Sequence, residues 1–183
     1  QPLPMAQIGT EVADPAYFTG GICPAGRECR YSDSAFVMRR KGTKWKTGFI
    51  AHPKAPGSLV IDSGRPRFRI TSETATPLVG DTVNKVGRTT GWSQGMVNST
   101  CIDVNVSGTN LTLLCQDAVD ATVDSGDSGS PVFGDPQGAK PDVSLFGVLW
   151  GGNAGGTQFI FSRLANIENE LGALQTCDPA IGC

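Results

Sequence analysis

The chain has 183 residues, a formal net charge of −2 and a pI near 5.3, so it is long enough for one substantial domain or two small ones. This charge gives no basic field for nucleic acid or an anionic membrane, and no apolar run is long enough to span a bilayer. The 24 glycines and 12 prolines favour short strands and turns over long helices.

Short apolar segments along the chain predict β-strands and a single helix. Residues 1–30 show no clear period, and the strands predicted before residue 75 lie at 35–38, 48–51, 58–61 and 68–71. From residue 81 onward, the predicted strands lie at 82–86, 96–106, 111–114, 119–123, 143–150 and 159–161. The helix that follows has Ser162 as its predicted N-cap and an apolar face formed by Leu164, Ile167, Leu171 and Leu174. Short strands at this spacing predict an all-β barrel or sandwich.

Six cysteines fall into three close pairs along the sequence, namely Cys23 with Cys29, Cys101 with Cys115, and Cys177 with Cys183. An even set at short spacings indicates disulfides, an oxidising compartment and secretion. Zinc is the competing interpretation, but the sequence has no Cys-x2-Cys pair and its single histidine is distant. We therefore predict three disulfides, no metal site and no cofactor.

The segment between Cys101 and Cys115 is predicted to be a hairpin with its turn at 108–110. Three glycosylation sequons start in this region, at Asn98, Asn105 and Asn110. They indicate either glycosylation of an exposed hairpin or the ordinary clustering of Asn, Ser and Thr in turns. The sequence leaves both interpretations open.

The segment Gly126-Asp127-Ser128-Gly129-Ser130-Pro131 lies between two apolar runs, 118–123 and 132–133. Glycines on both sides of a serine indicate a tight loop whose backbone angles can set amides side by side. Two amides that point into one small volume can bind a developing oxyanion, and we assign this role to Gly126 and Ser128. The alternative is an ordinary polar turn, since Gly, Ser and Asp are common in turns.

The same six residues resemble the nucleophile loop of the chymotrypsin-like serine proteases. Gly87-Arg88-Thr89-Thr90-Gly91 resembles a strand-turn segment of bacterial secreted members such as the streptogrisin and α-lytic protease group. Leu149-Trp150-Gly151 resembles the strand that binds the substrate backbone, although serine is usual at the position of Leu149. The resemblance runs from about residue 79 to residue 174 and implies a chymotrypsin-like double β-barrel with a C-terminal helix.

The resemblance implies that Ser128 is a nucleophile activated by a histidine, which an aspartate orients. Asp33 lies 95 residues before Ser128 (128 − 33), at the start of a predicted strand, and is the expected orienting carboxylate. The alternative for Asp33 is a solvated turn residue.

The histidine is the point at which the chain departs from the family. The family order is histidine, aspartate, serine, so the histidine is expected before residue 1. His52, the only histidine, follows Asp33 and is interpreted as an ordinary loop residue. The aspartate, histidine, serine order of subtilisin would require parallel strands alternating with helices, a pattern that this sequence does not contain.

The resemblance also implies that Asp127 is buried beneath the nucleophile loop. A buried carboxylate is costly without a cation or becomes protonated. We expect Lys85 to be the partner that forms a structural ion pair with Asp127, with Arg88 as the second candidate.

A specificity pocket is implied next to the nucleophile. Thr122, six residues before Ser128, is expected at its base, and Asp124 near its rim. The expected substrate-binding residues are Thr122, Leu149, Trp150, Gly151 and Phe159, the last of which would narrow the wall. Because Thr122 is not acidic, small or apolar substrate side chains are expected.

Together these patterns predict an all-β, secreted serine endopeptidase domain that acts on peptides or proteins. Residues 1–75 are expected to hold the remainder of an incomplete first barrel and the interdomain segment, and residues 76–183 the second barrel with the C-terminal helix. An N-terminal companion segment or chain would complete the first barrel and supply the histidine. The alternatives are a non-catalytic homologue that only binds, and a secreted β-rich binding module that carries the loop sequence by coincidence.

Overall fold

A computed structural model describes residues 8–44, 46–136 and 141–180. Its strands are β1 (Gly9–Ala13), β2 (Glu28–Arg30), β3 (Phe36–Arg39), β4 (Phe49–Ala51), β5 (Arg67–Glu73), β6 (Thr82–Gly87), β7 (Gly91–Asn105), β8 (Leu111–Asp120), β9 (Pro131–Gly134), β10 (Asp142–Gly152) and β11 (Phe159–Arg163). The helix α1 (Leu164–Leu171) follows directly. The prediction of an all-β fold with a C-terminal helix is confirmed.

Strands β6 to β11 close into an antiparallel barrel. Around the ring, β6 pairs with β7, β7 with β8, β8 with β11, β11 with β10, β10 with β9, and β9 with β6 again. Closure gives each of these six strands two neighbours in the ring. The barrel interior is filled by buried apolar side chains that include Val83, Val97, Val119, Val132, Phe146, Leu149, Phe159 and Phe161.

Three further strands attach to the outside of this barrel. β5 pairs in parallel with β10, β4 pairs with β5, and β2 pairs in parallel with β8. Between the barrel, these strands and α1 lies a second apolar cluster of Ile50, Phe68, Ile70, Phe133, Val143, Leu145, Leu164 and Cys177. This cluster fixes α1 against the barrel.

β1 and β3 form a separate two-stranded antiparallel sheet. Every residue of this sheet is exposed or half-buried. A two-stranded sheet without a buried face is at best marginally stable in water, so it needs further contacts. The boundary near residue 75 between a first and a second barrel stays a prediction.

The disulfide predictions are confirmed for two of the three pairs. Cys23 is bonded to Cys29, and Cys101 to Cys115, at the base of the β7–β8 hairpin. Cys177 is also disulfide-bonded, whereas Cys183 lies outside the described residues. In the described part of the chain, no helix is long and apolar enough to cross a bilayer, and no three acidic, histidine or cysteine side chains are placed to hold a metal ion.

Two strand predictions differ from the structure. Residues 58–61 are not a strand, since Ser58 Oγ accepts a hydrogen bond from Val60 N in a local turn and only Ile61 forms an isolated bridge. The segments 111–114 and 119–123 were predicted separately but belong to one continuous strand, β8. β1 and β2 were not predicted from the sequence, whereas β9 contains the apolar run 132–133 that follows the predicted loop.

The ends of α1 also differ from the prediction. Ser162 is not the N-cap, because it lies inside β11 with its side chain buried, and Arg163 occupies the cap position. The helix ends at Leu171, where Gly172 adopts a φ of 85° that a non-glycine residue rarely adopts. Leu174 therefore lies beyond the helix, although it still packs against the second apolar cluster.

Candidate active site

Ser128 is exposed at the tip of the loop that leads into β9. Its Oγ donates a hydrogen bond to Trp150 O at 3.1 Å. The loop is fixed to the neighbouring β10, since Gly129 N donates to Leu149 O at 2.7 Å and Leu149 N donates to Ser130 O at 2.9 Å. The serine hydroxyl is thus accessible on a backbone held by the barrel.

The amides of this loop divide into paired and unpaired groups. Asp127 N donates to Asp124 O at 3.0 Å, and the amides of Gly129 and Ser130 are also bonded within the protein. By contrast, neither Gly126 N nor Ser128 N has an acceptor among the residues that the structure describes. These two amides of one loop are therefore donors available to an anion.

Gly126 is held in a conformation that suits glycine alone. Its φ is 98°, and a Cβ atom built there would lie 2.7 Å from both Arg88 Nη2 and Thr89 Oγ1. A larger residue would therefore strain the backbone and displace two neighbouring side chains. The position of the Gly126 amide depends on this close approach.

Beneath the loop, Asp127 and Lys85 form an ion pair in which both side chains are fully buried, with Nζ 2.8 Å from Oδ2. Thr90 Oγ1 also donates to Oδ2 at 2.6 Å, and the amides of Thr89 and Thr90 donate to Oδ1 at 2.8 and 3.1 Å. Burial alone would raise the pKa of Asp127, but the hydrogen bonds from Lys85, Thr90 and Thr89 hold this pKa well below its ordinary value. The carboxylate is therefore charged at neutral pH and connects the loop to the turn after β6.

Arg88, the second candidate partner of Asp127, lies on the outside of the loop. It is exposed, and within the described part of the chain it forms no ion pair. Its guanidinium group instead lies against Gly126. The two cations thus have separate positions, with Lys85 below the loop and Arg88 above it.

A cavity of about 620 Å³ opens beside Ser128. Its lining includes Thr122, Leu149 and Gly151 from the predicted substrate-binding set. The lining also includes residues that were not predicted from the sequence, among them Val123, Ser125, Asn153, Ala154 and Gly156. Asp124, expected near the rim, lines the cavity as well. Asn153 to Gly156 carry no recognisable pattern because they form the loop after β10, whose position depends on the barrel.

Two predicted substrate-binding residues do not line this cavity. Phe159 is fully buried in the barrel core, on a strand whose five residues are all buried. Its assignment to the pocket wall is wrong. Trp150 points to the other side of β10, where it lines a second cavity of about 430 Å³.

Asp33 lines this second cavity together with Trp150 and is exposed. Gly151 and Gly152 line both cavities, so β10 separates the Asp33 side from the Ser128 side. The Asp33 backbone is fixed, since its amide donates to Ser162 Oγ at 3.1 Å. The two predicted catalytic residues therefore lie on either side of one strand.

His52 lies in a different environment from either of them. It is buried, its Nδ1 is 2.6 Å from Arg65 O, and its ring lies 4.1 Å from the Phe68 ring and 5.6 Å from the Trp92 ring. Its hydrogen bond and ring contacts are structural, and they involve neither Ser128 nor Asp33. His52 thus belongs to the apolar cluster outside the barrel.

Replacing His52 with alanine is expected to lower the free energy of unfolding by about 1–3 kcal/mol, because it removes a buried ring and its hydrogen bond. The reactivity of Ser128 toward a fluorophosphonate probe is expected to stay unchanged. Urea unfolding and probe labelling measure the two effects, and Lys54→Ala, an exposed change nearby, is the control. Loss of labelling in folded His52→Ala would make His52 the base.

Comparison with known proteins places the fold. No protein-family model matches the sequence, and no curated protein matches it. Solved structures do match: Thermobifida fusca protease A is 20% identical with a TM-score of 0.58, covering 92% of this chain and 78% of that one. Cellulomonas bogoriensis chymotrypsin is 23% identical with a TM-score of 0.57 (92% and 79%), and a Nocardiopsis protease is 19% identical with a TM-score of 0.56 (90% and 77%).

These likenesses confirm the resemblance seen in the sequence at the level of the fold. The chain has the chymotrypsin-like fold of bacterial serine proteases. Identities of this size establish the fold alone, so the chemistry has to be argued from the site.

Proposed function

We propose that the chain is the nucleophile-bearing part of a secreted serine endopeptidase. The observation that carries this proposal is the loop from Gly126 to Ser128, in which an exposed serine lines a cavity and the amides of Gly126 and Ser128 have no acceptor in the described part of the chain. The buried pair of Asp127 with Lys85 supports it, because this pair holds the loop in one conformation. The disulfides support secretion.

In the proposed reaction, Ser128 Oγ attacks the carbonyl carbon of a peptide bond and gives its proton to a histidine. The carbonyl oxygen becomes an oxyanion that accepts hydrogen bonds from the amides of Gly126 and Ser128. The protonated histidine then donates to the leaving amine, and the acyl group stays on Ser128 until water releases it. Asp33 orients the histidine and stabilises its charged form.

The substrate side chain that enters the 620 Å³ cavity is small or apolar in this proposal. Thr122 and Val123 form part of its lining, together with the backbone of Gly151 and Gly152. No cation lines this cavity in the part of the chain that the structure describes, which disfavours an acidic substrate side chain. Asp124 lies at the cavity, but its Oδ1 already accepts a hydrogen bond from Ser125 N at 2.6 Å.

The histidine has to come from outside these 183 residues, because the single histidine of the chain is His52. We propose that an N-terminal companion segment or chain brings it next to Asp33. The second cavity, with Asp33 and Trp150 in its wall, offers the space for an imidazole ring. The exposed β1–β3 sheet offers strands on which a partial barrel can be completed.

A second candidate function follows from the same observation. A chain with Ser128 and Asp33 but no base could be a homologue that keeps the substrate cavity for binding only. The two functions differ in whether Ser128 reacts once a base is present. A small base added from solution can therefore distinguish them.

Exogenous imidazole is expected to raise the rate at which a fluorophosphonate probe labels the 183-residue chain by about 100-fold, the lower end of general-base effects. The imidazole would take the proton from Ser128 Oγ while Asp33 orients the ring. Mass spectrometry of peptides from the labelled chain measures the rate and locates the adduct. N-methylimidazole tests the role of Asp33, because it has no N–H to donate to the carboxylate.

Two variants control this experiment. Ser128→Ala should abolish labelling, and Asp33→Asn should remove most of the imidazole effect while leaving the slow background rate. Labelling that persists in Ser128→Ala, or an imidazole effect that is equal in Asp33→Asn, would contradict the catalytic assignment. A folded chain that imidazole does not activate would favour the binding-only homologue.

A further inference from the structure

One buried amide connects the two sides of the candidate site. The side chain of Gln116 is fully buried, and its Nε2 donates to Tyr31 O at 2.8 Å, two residues before Asp33. Its Oε1 accepts a hydrogen bond from Trp150 Nε1 at 2.9 Å. Trp150 O in turn accepts from Ser128 Oγ at 3.1 Å, so a continuous path runs from the Asp33 segment to the nucleophile.

Ser162 adds a second path from the same amide. This fully buried hydroxyl donates to Gln116 Oε1 at 2.8 Å and accepts from Asp33 N at 3.1 Å. Gln116 Nε2 also donates to Leu114 O at 2.6 Å. Both donors and both acceptor sites of the Gln116 amide are therefore used, which fixes its orientation.

The helix α1 fixes the rest of the Asp33 segment. Glu170 accepts from Tyr31 N at 2.7 Å and from Ser32 Oγ at 2.5 Å. Asn166 donates to Tyr31 O at 2.9 Å and to Cys115 O at 2.8 Å. These contacts hold the segment on the barrel but, unlike those of Gln116, they do not reach Trp150.

We propose that Gln116 is a positioning residue that sets the Asp33 segment and the Trp150 strand relative to each other. This inference deepens the proposed function and rests on it. Leu149 occupies the position where a serine is usual in the family, and the Asp33 segment here is held by Ser162 and Gln116. An error of about 1 Å in the relative position of two catalytic groups can cost roughly 100-fold in rate, so such an amide matters for catalysis without touching substrate.

The first test is an NMR measurement of hydrogen exchange on the 183-residue chain. In Gln116→Met, exchange of the Trp150 indole N–H and of the Asp33 amide is expected to become about tenfold faster, as the loss of a hydrogen bond implies. The matched control is Asn166→Leu, which also loses a donor to Tyr31 O. It should leave the Trp150 indole N–H unchanged. Trp150→Phe assigns the indole signal.

The second test measures the imidazole-dependent labelling of Ser128. Gln116→Met is expected to lower this rate by about 10- to 100-fold, and Asn166→Leu by less. Gln116→Glu keeps the acceptor for Trp150 and Ser162, so the Trp150 indole N–H should still exchange slowly. It removes the donor to Tyr31 O, so the segment at Tyr31 should be held less tightly. If the wild-type chain is not labelled at all, the proposed function fails, yet the exchange data still decide the positioning role.

Two results would overturn the inference. One is a folded Gln116→Met variant in which exchange at both Trp150 and Asp33 equals that of the wild type. If Gln116→Met does not fold, the wild-type chain decides instead. A Trp150 indole N–H that exchanges there as fast as a free indole would overturn the inference. The inference would be supported if the Trp150 indole N–H exchanges slowly in the wild-type chain and equally slowly in Gln116→Glu.

Discussion

Replacing Lys85 with methionine is expected to lower the free energy of unfolding by about 3–5 kcal/mol. The change leaves the Asp127 carboxylate in a site with no solvent access and without its cation. Lys85 Nζ also donates to Gly91 O at 3.2 Å and to Thr90 Oγ1, so several buried groups lose their partner together. Urea unfolding followed by circular dichroism at pH 7 measures the effect.

Arg88→Met is the matched control, because it removes an exposed cation three residues away. We expect it to change the free energy of unfolding by no more than about 0.5 kcal/mol. In Lys85→Met with Asp127→Asn, the stranded charge is absent, and part of the stability should return. An unchanged stability in Lys85→Met would show that the pair does not hold the loop.

The dependence of stability on pH tests the same pair. The folded state holds the pKa of Asp127 below its unfolded value, so the folded state binds its proton less readily. This stabilisation is complete above about pH 4, the ordinary pKa of an aspartate, and is lost as the pH falls toward the lowered folded value. In Lys85→Met, this acid-dependent loss should be smaller, because the folded pKa of Asp127 rises.

Those parts of the fold that depend on local pattern could be predicted from the sequence. β6, β7, β10 and β11 combine apolar residues with turn signals, and the Cys101–Cys115 pair marks the base of a hairpin. β2 has only three residues and pairs with β8, more than eighty residues later, so nothing local indicates it. The 58–61 segment shows the converse error, since Leu59, Val60 and Ile61 are apolar but exposed, and only Ile61 forms an isolated bridge, with Pro53.

The candidate site likewise has parts that could be predicted from the sequence and parts that could not. The loop at Ser128 and its buried pair could be inferred, because a six-residue string carries both Ser128 and Asp127, and a buried carboxylate demands a cation. Gln116 and Glu170 could not be inferred, because their partners at Tyr31 lie 85 and 139 residues away. Phe159 was misplaced because a family position was transferred to a strand that here is buried on both faces.

The exposed β1–β3 sheet is the structural feature that supports the proposed companion most directly. Val12, Phe36 and Met38 are each about half exposed or more, at 50%, 48% and 61%. A two-stranded sheet that buries none of its residues gains little from the hydrophobic effect and leaves backbone groups unpaired at its edges. A further strand layer over these residues would bury apolar surface and form a first barrel next to Asp33.

The active protein is therefore expected to be a complex larger than the 19.1 kDa of this chain. Removal of its histidine-bearing companion should lower the rate of peptide hydrolysis by at least about 10⁴-fold. Native mass spectrometry of protein purified without denaturant gives the mass of the complex, and dissociation in urea separates its chains. A peptide-hydrolysis assay with and without the companion measures the loss of activity. Met38→Lys should prevent association, because it places a charge on the sheet that the companion covers. Met96→Lys is the matched control, because Met96 is 60% exposed on β7 of the closed barrel. A stable 19.1 kDa species with full hydrolytic activity would contradict the requirement for a companion.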